Sequence, residues 1–130
     1  MAKAKKPAAL DFRGDSKEIL SSFPLSVKAT FGFNLRRLQN GESAVCVIRP
    51  MPSVGSGVFE LKEQDERTWY RVMYLAKVMD VIYVLHCFEK DTKKTSRGDL
   101  GIAQARLKEV NEEIREKRAR LKKEKPHGSH

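Results

Sequence analysis

Gly57–Lys94, GVFELKEQDERTWYRVMYLAKVMDVIYVLHCFEKDTKK, decides the fold. Its β-branched and aromatic residues, Val58, Phe59, Trp69, Tyr70, Val72, Tyr74 and Val81 to Val84, suit a pleated surface. They divide into three predicted antiparallel strands, Val58–Glu63, Thr68–Lys77 and Val81–Glu89. The connections Gln64–Arg67 and Met79–Asp80 are short enough for hairpins. Side chains alternate faces along a strand. Glu60 and Lys62 therefore share one face of the first strand, and Trp69 and Arg71 share one of the second. His86, Phe88 and Lys90 share one of the third. Charges inside apolar strands are costly unless they line a wet, charged groove, and that groove is the expected functional site.

Upstream, Ala8–Arg13 reads as a short strand ended by Gly14. Asp15 or Ser16 then caps a short helix, with Glu18 in capping-box position. Pro24 opens a second helix whose stripe is Val27, Phe31, Leu35 and Leu38, and Asn40-Gly41 closes it. Glu42–Ser56, with two prolines, reads as a loop in which Val45–Ile48 pairs at most briefly at an edge. Downstream of a basic loop carrying Lys93, Lys94 and Arg97, Asp99 caps a last helix. Its stripe is Leu100, Ala103, Leu107, Val110 and Ile114, and beyond Lys117 it is charged all round. The order β-α-α-β-β-β-α predicts an α+β domain, an antiparallel sheet with a helical hairpin on one face and the other face open.

A chain of 130 residues has the size of one domain, expected over 8–115, with flexible basic tails at 1–7 and 116–130. The final His-Gly-Ser-His (127–130) reads as a cloning remnant. A net charge of +9, with 40% hydrophobic and 33% charged residues, predicts a folded protein with a polyanionic partner, nucleic acid before membrane. Cys46 and Cys87 form neither a metal motif nor a disulfide framework, so a reducing cytoplasm is the simplest compartment. No apolar run approaches the roughly 18–20 residues of a membrane span. A glycine-rich phosphate loop, zinc spacing and a Ser/His/Asp arrangement are all missing, which argues against an ATPase, a metalloenzyme and an acyl-transfer hydrolase.

Glu60, Lys62, Arg71, Lys90, Lys93 and Lys94 are residue types with which RNA can be cleaved without a metal. The chemistry needs a base near the 2′-OH, cations on the phosphate and an acid at the leaving 5′-oxygen. Clustered cations lower a lysine's proton affinity, and arginine stays charged and can grip a phosphate with two N–H groups. The same cluster also fits a basic surface that binds nucleic acid without chemistry. His86 is either a hydrogen-bonded structural residue or part of the groove wall. Trp69 either packs or stacks on a base.

Further residues carry a resemblance. Pro50-Met51, Gly55-Ser56-Gly57-Val58-Phe59-Glu60-Leu61, Tyr70-Arg71-Val72-Met73-Tyr74, Leu85-His86-Cys87-Phe88-Glu89-Lys90 and Thr92-Lys93-Lys94-Thr95 occur in order. With Gly14-Asp15-Ser16, Phe23-Pro24, Leu38-Gln39-Asn40-Gly41 and Arg106-Leu107, the chain resembles the RelE/HigB toxin superfamily over roughly residues 9–110. The phage-derived HigB-like branch is the most similar. The resemblance implies the toxin of a type II toxin–antitoxin system, an endoribonuclease that cuts mRNA on the ribosome without metal or other cofactor. It implies a cognate helix-turn-helix antitoxin as partner. By position it assigns catalysis to Lys62, Arg71 and Lys90, with Lys93 or Lys94 as further cations. A tyrosine or histidine used by some members has no counterpart after Lys90, so Glu60 and Lys62 stand as alternative bases. RNA contacts are expected from Lys93, Lys94, Arg97, His86 and Trp69. The rival reading is a non-catalytic nucleic-acid-binding module or phage-derived regulator. The exposed part of the last helix is expected to serve the antitoxin rather than RNA.

Overall fold

The computed structural model describes residues 6–91 and 96–124. Chain order is β1 (Ala9–Phe12), α1 (Ser16–Ser22), α2 (Leu25–Gln39), β2 (Val47–Pro50), β3 (Val58–Gln64), β4 (Trp69–Val78), β5 (Val81–Lys90) and α3 (Arg97–Glu124). The fold is the expected α+β class, built on one sheet of order β1-β5-β4-β3-β2. Two details of the sheet differ from expectation. β1 runs parallel to β5, reached through α1 and α2, so the sheet is mixed. Val47–Pro50 is a full edge strand, paired antiparallel with β3, where a loop with at most a brief edge pairing was expected.

The three central strands form as their composition dictates. Met79 and Asp80 both take positive φ, 51° and 65°, the geometry that a two-residue hairpin turn demands. Such a backbone is strained in a bulky residue such as Met79, and Asp80 tolerates it less well than glycine would. Met79→Asn with Asp80→Gly should therefore raise unfolding free energy by about 1 kcal/mol, measured by denaturant titration. An unchanged midpoint would show that the turn is relaxed as it stands.

One sheet face is covered by α1 and α2. Phe23, Val27, Phe31 and Leu35 pack there against Leu61, Tyr70, Val72, Tyr74, Ile82, Val84 and Cys87. The stripe predicted for α2 is buried except at Leu38, which is only half-buried. Cys87 sits in this layer as a small apolar residue, its thiol pushed up to about 12 by burial. Asp15 occupies the cap position of α1 but makes no side-chain capping hydrogen bond, so the expected capping box does not form.

The opposite face is not open. Ala103, Leu107, Val110 and Ile114 of α3 pack on Val58, Met73, Leu75, Tyr83, Leu85 and Phe88, joined by Met51 and Val54 from the loop after β2. The loop comes so close to α3 that a Cβ on Gly55 would stand 2.3 Å from Leu107 Cδ2. Arg13 pairs with Glu113, and Arg106 Nη2 with Asp15 Oδ1 at 3.1 Å, tying α3 to the other end of the sheet. The apolar stripe of α3 needs a partner layer, and this half of the sheet supplies it. What α3 leaves uncovered is the half that carries charge.

Candidate functional site

Antiparallel partners share a sheet face, so the register states which side chains meet. Arg49 faces Glu60, Lys62 faces Arg71, Arg71 faces Phe88 and Met73 faces His86. The β4–β5 register shifts next: Tyr74 pairs with Val84, leaving Leu85 with no residue opposite. This bulge changes the phase of β5. With unbroken alternation from Val84, His86 and Phe88 would lie on the face under α1 and α2. The bulge turns them toward Arg71. Arg106 of α3 donates to the Leu85 carbonyl at 2.9 Å and holds the bulge from outside the sheet.

Arg49, Glu60, Arg71, Phe88 and His86 thus form a row across the charged half-face. Glu60 Oε1 accepts from Arg49 Nε at 3.3 Å and from Arg71 Nη1 at 3.5 Å. The Arg71 guanidinium lies 5.9 Å from the Phe88 ring centre, and Phe88 stacks on His86 at 4.8 Å. Side-chain exposure is 0% for both Glu60 and Arg71. The expected wet groove therefore has a dry floor, in which ion pairing and ring contacts stand in for water. Burial weakens the hold of Arg71 on its proton; the Glu60 carboxylate opposes that without cancelling it.

A second cluster lies where β5 meets α3. Asp99 Oδ1 is 2.9 Å from His86 Nε2, and Asp99 Oδ2 is 3.1 Å from Lys90 Nζ. Ser96 Oγ donates to Asp99 Oδ2 at 2.7 Å while accepting from the Asp99 backbone N–H at 3.1 Å. Ser96, not Asp99, is thus the cap of α3, and Asp99 sits at the third helical position, where its carboxylate accepts from the Ser96 hydroxyl. Burial pushes the Asp99 carboxyl up, but hydrogen bonds from Ser96, His86 and Lys90 outweigh it and hold the group below the ordinary carboxylate value.

Toward solvent, the Lys62 ammonium stands 5.0 Å from the Trp69 ring centre, and the Lys90 side chain is 31% exposed. Arg49 is exposed at the edge strand and Arg97 at the start of α3. Of the residues singled out from sequence, Glu60, Lys62, Trp69, Arg71, His86 and Lys90 all belong to this half-face. Arg97 lies beside it in the chain, at the first turn of α3. Lys93 and Lys94 lie outside the described residues. Sequence reasoning missed Arg49, which it placed in a loop, and Asp99, which it made a cap. Ser96-x-x-Asp99 is itself a capping-box spacing and could have flagged the pair.

The fold and this half-face define an α+β protein with surface cations over a buried arginine–carboxylate core, an arrangement suited to holding phosphate. The profile of the phage-derived Gp49-like protein family (DUF891) matches residues 18–108, and the chain belongs to that family. The family is associated with toxins of toxin–antitoxin systems, which implies an antitoxin partner. No curated protein matches the chain. Among the described residues, no helix is long and apolar enough to cross a membrane.

Proposed function

We propose that the protein is the toxin of a type II toxin–antitoxin system, of the HigB-like branch of the RelE/HigB superfamily. In this reading it is a metal-independent endoribonuclease of ribosome-bound mRNA in the cytoplasm, neutralised by a cognate helix-turn-helix antitoxin. The observation that carries it is the convergence of Arg49, Glu60, Lys62, Arg71 and Lys90 on one half-face of the sheet in a Gp49-like chain. Lys62 and Lys90 meet the RNA first, and Trp69 offers a ring on which a base can stack. The scissile phosphate then takes the place of the Glu60 carboxylate between Arg49 and Arg71, exchanging one anion for another.

The 2′-oxygen attacks phosphorus and the bond to the 5′-oxygen breaks. The 2′-OH proton passes to the Lys62 amine or the Glu60 carboxylate, and the Lys90 ammonium gives a proton to the leaving oxygen. Arg71 offsets the charge that builds on the phosphoryl oxygens. The single domain expected over 8–115 holds all five of these groups. One observation favours the rival, a basic module that binds RNA without cutting it: Arg71 and Glu60 are sealed from solvent.

Induced expression in bacteria separates the two. The toxin reading expects growth arrest and new mRNA 5′ ends inside coding regions, both relieved when the neighbouring helix-turn-helix reading frame is co-expressed. Normal growth with unchanged 5′ ends, despite folded protein, would leave the binding module.

A further inference from the structure

The last buried residue of α3 is Ile114, yet the helix runs on to Glu124. Arg115–Glu124 adds ten residues, about 15 Å of helix, and only Lys117 among them is even half-buried. It holds six cations, Arg115, Lys117, Arg118, Arg120, Lys122 and Lys123, against Glu116 and Glu124. At 3.6 residues per turn these cations fall on every side of the helix, leaving no face without one. The apolar residues are Ala119 and Leu121, the latter 53% exposed, and they make no stripe.

We propose that this arm is a docking element for the phosphate backbone of double-helical RNA. Protein interfaces usually centre on an apolar patch with charge kept to the rim, and the arm offers no such patch. A single strand would meet cations on one side only. Two phosphate rows flanking an A-form groove can meet cations on opposite sides of one helix, without reading bases. The arm's own energetics point the same way. Arg118 and Lys122 stand four apart, and Arg115–Arg118, Lys117–Arg120 and Arg120–Lys123 stand three apart, all like-charged neighbours on a helix surface. Glu116 before Arg120 offsets part of that repulsion, while Glu113 is taken up by Arg13. A polyanion laid along the arm would relieve the rest. The proposal rests on RNA being the partner but not on cleavage.

The test replaces Arg115, Arg118, Arg120, Lys122 and Lys123 by Gln in the full chain. None packs in the core, and losing like charges should raise helix content, checked by circular dichroism. Binding to a blunt RNA duplex and to an unstructured single strand is then titrated against salt. The expected result is weaker duplex binding, with the salt slope reduced by about 0.9 for each phosphate that is no longer neutralised, and a smaller change on the single strand. An unchanged duplex slope would overturn the proposal. So would equal losses on both RNAs, or unchanged RNA binding together with lost antitoxin affinity, which would make the arm a protein-docking element. A protein that proves non-toxic yet loses duplex binding on substitution would retain the arm's role and refute the nuclease reading instead.

Discussion

Arg71→Ala should lose up to about 3–5 kcal/mol of stability, because it removes the buried one of two cations from a fully buried Glu60 carboxylate and leaves it only Arg49, which is half exposed. In protein that still folds, it should slow RNA cleavage about 10²–10³-fold, the usual cost of one charge-stabilising donor. A residue lining the wet groove that the sequence suggested would show the second effect without the first. The two effects are separable. Glu60→Gln with Arg71→Met removes both charges and should recover most of the stability, since a neutral buried pair carries no unpaired ion. It should not recover cleavage. Denaturant titration of wild type, Arg71→Ala and the double variant, beside their cleavage rates, checks both halves. Full activity in a folded Arg71→Ala protein would remove Arg71 from the chemistry.

Asp99→Asn should be the next most costly change. One carboxylate holds His86, Lys90 and Ser96, and a hydrogen bond to a charged group is worth about 1.5–3 kcal/mol. The folded protein holds this carboxyl below its ordinary value. Its ionised form therefore stabilises the fold fully above the unfolded carboxylate range, near about 4. That contribution disappears as pH falls through the folded-state value. The stability gap between wild type and Asp99→Asn should be widest near neutrality and close in acid. Cleavage should fall as well, because Lys90 is deprived of the anion that orients it. A gap that is constant with pH would show that Asp99 contributes through packing, not charge.

Much of the fold was legible because period-2 and period-3.6 patterns are strong where a face is buried. Val58–Gln64, Trp69–Val78 and Val81–Lys90 differ from the expected strands by a residue or two at their ends, and the stripe of α3 is buried as drawn except at Leu100, which is half-buried. The layer on which that stripe packs was not legible. Periodicity states that a helix buries a face, not which face of the sheet receives it. β2 was only half seen because its four residues are all exposed and end in Pro50. It exists through its ladder to β3, a long-range fact with no local signature.

The site divides in the same way. That His86, Phe88 and Lys90 share parity follows from spacing alone. That they share a face with Arg71 depends on the bulge at Leu85, which Arg106 supports from a different element. The burial of Glu60 and Arg71 was also invisible locally. Charged residues in apolar strands suggested water, whereas the fold supplied Arg49 and Phe88. Arg49 escaped notice because its strand did.

The central claim is that this half-face cuts RNA by 2′-OH attack, and product chemistry on ribosome-bound mRNA tests it most directly. Purified protein incubated with programmed ribosomes should produce fragments with 5′-hydroxyl ends and 2′,3′-cyclic phosphates. Arg71→Lys keeps the charge but not the fork of donors, and should produce far fewer of them. Intact message at protein concentrations that saturate the ribosomes, or fragments with 5′-phosphate ends, would contradict the account.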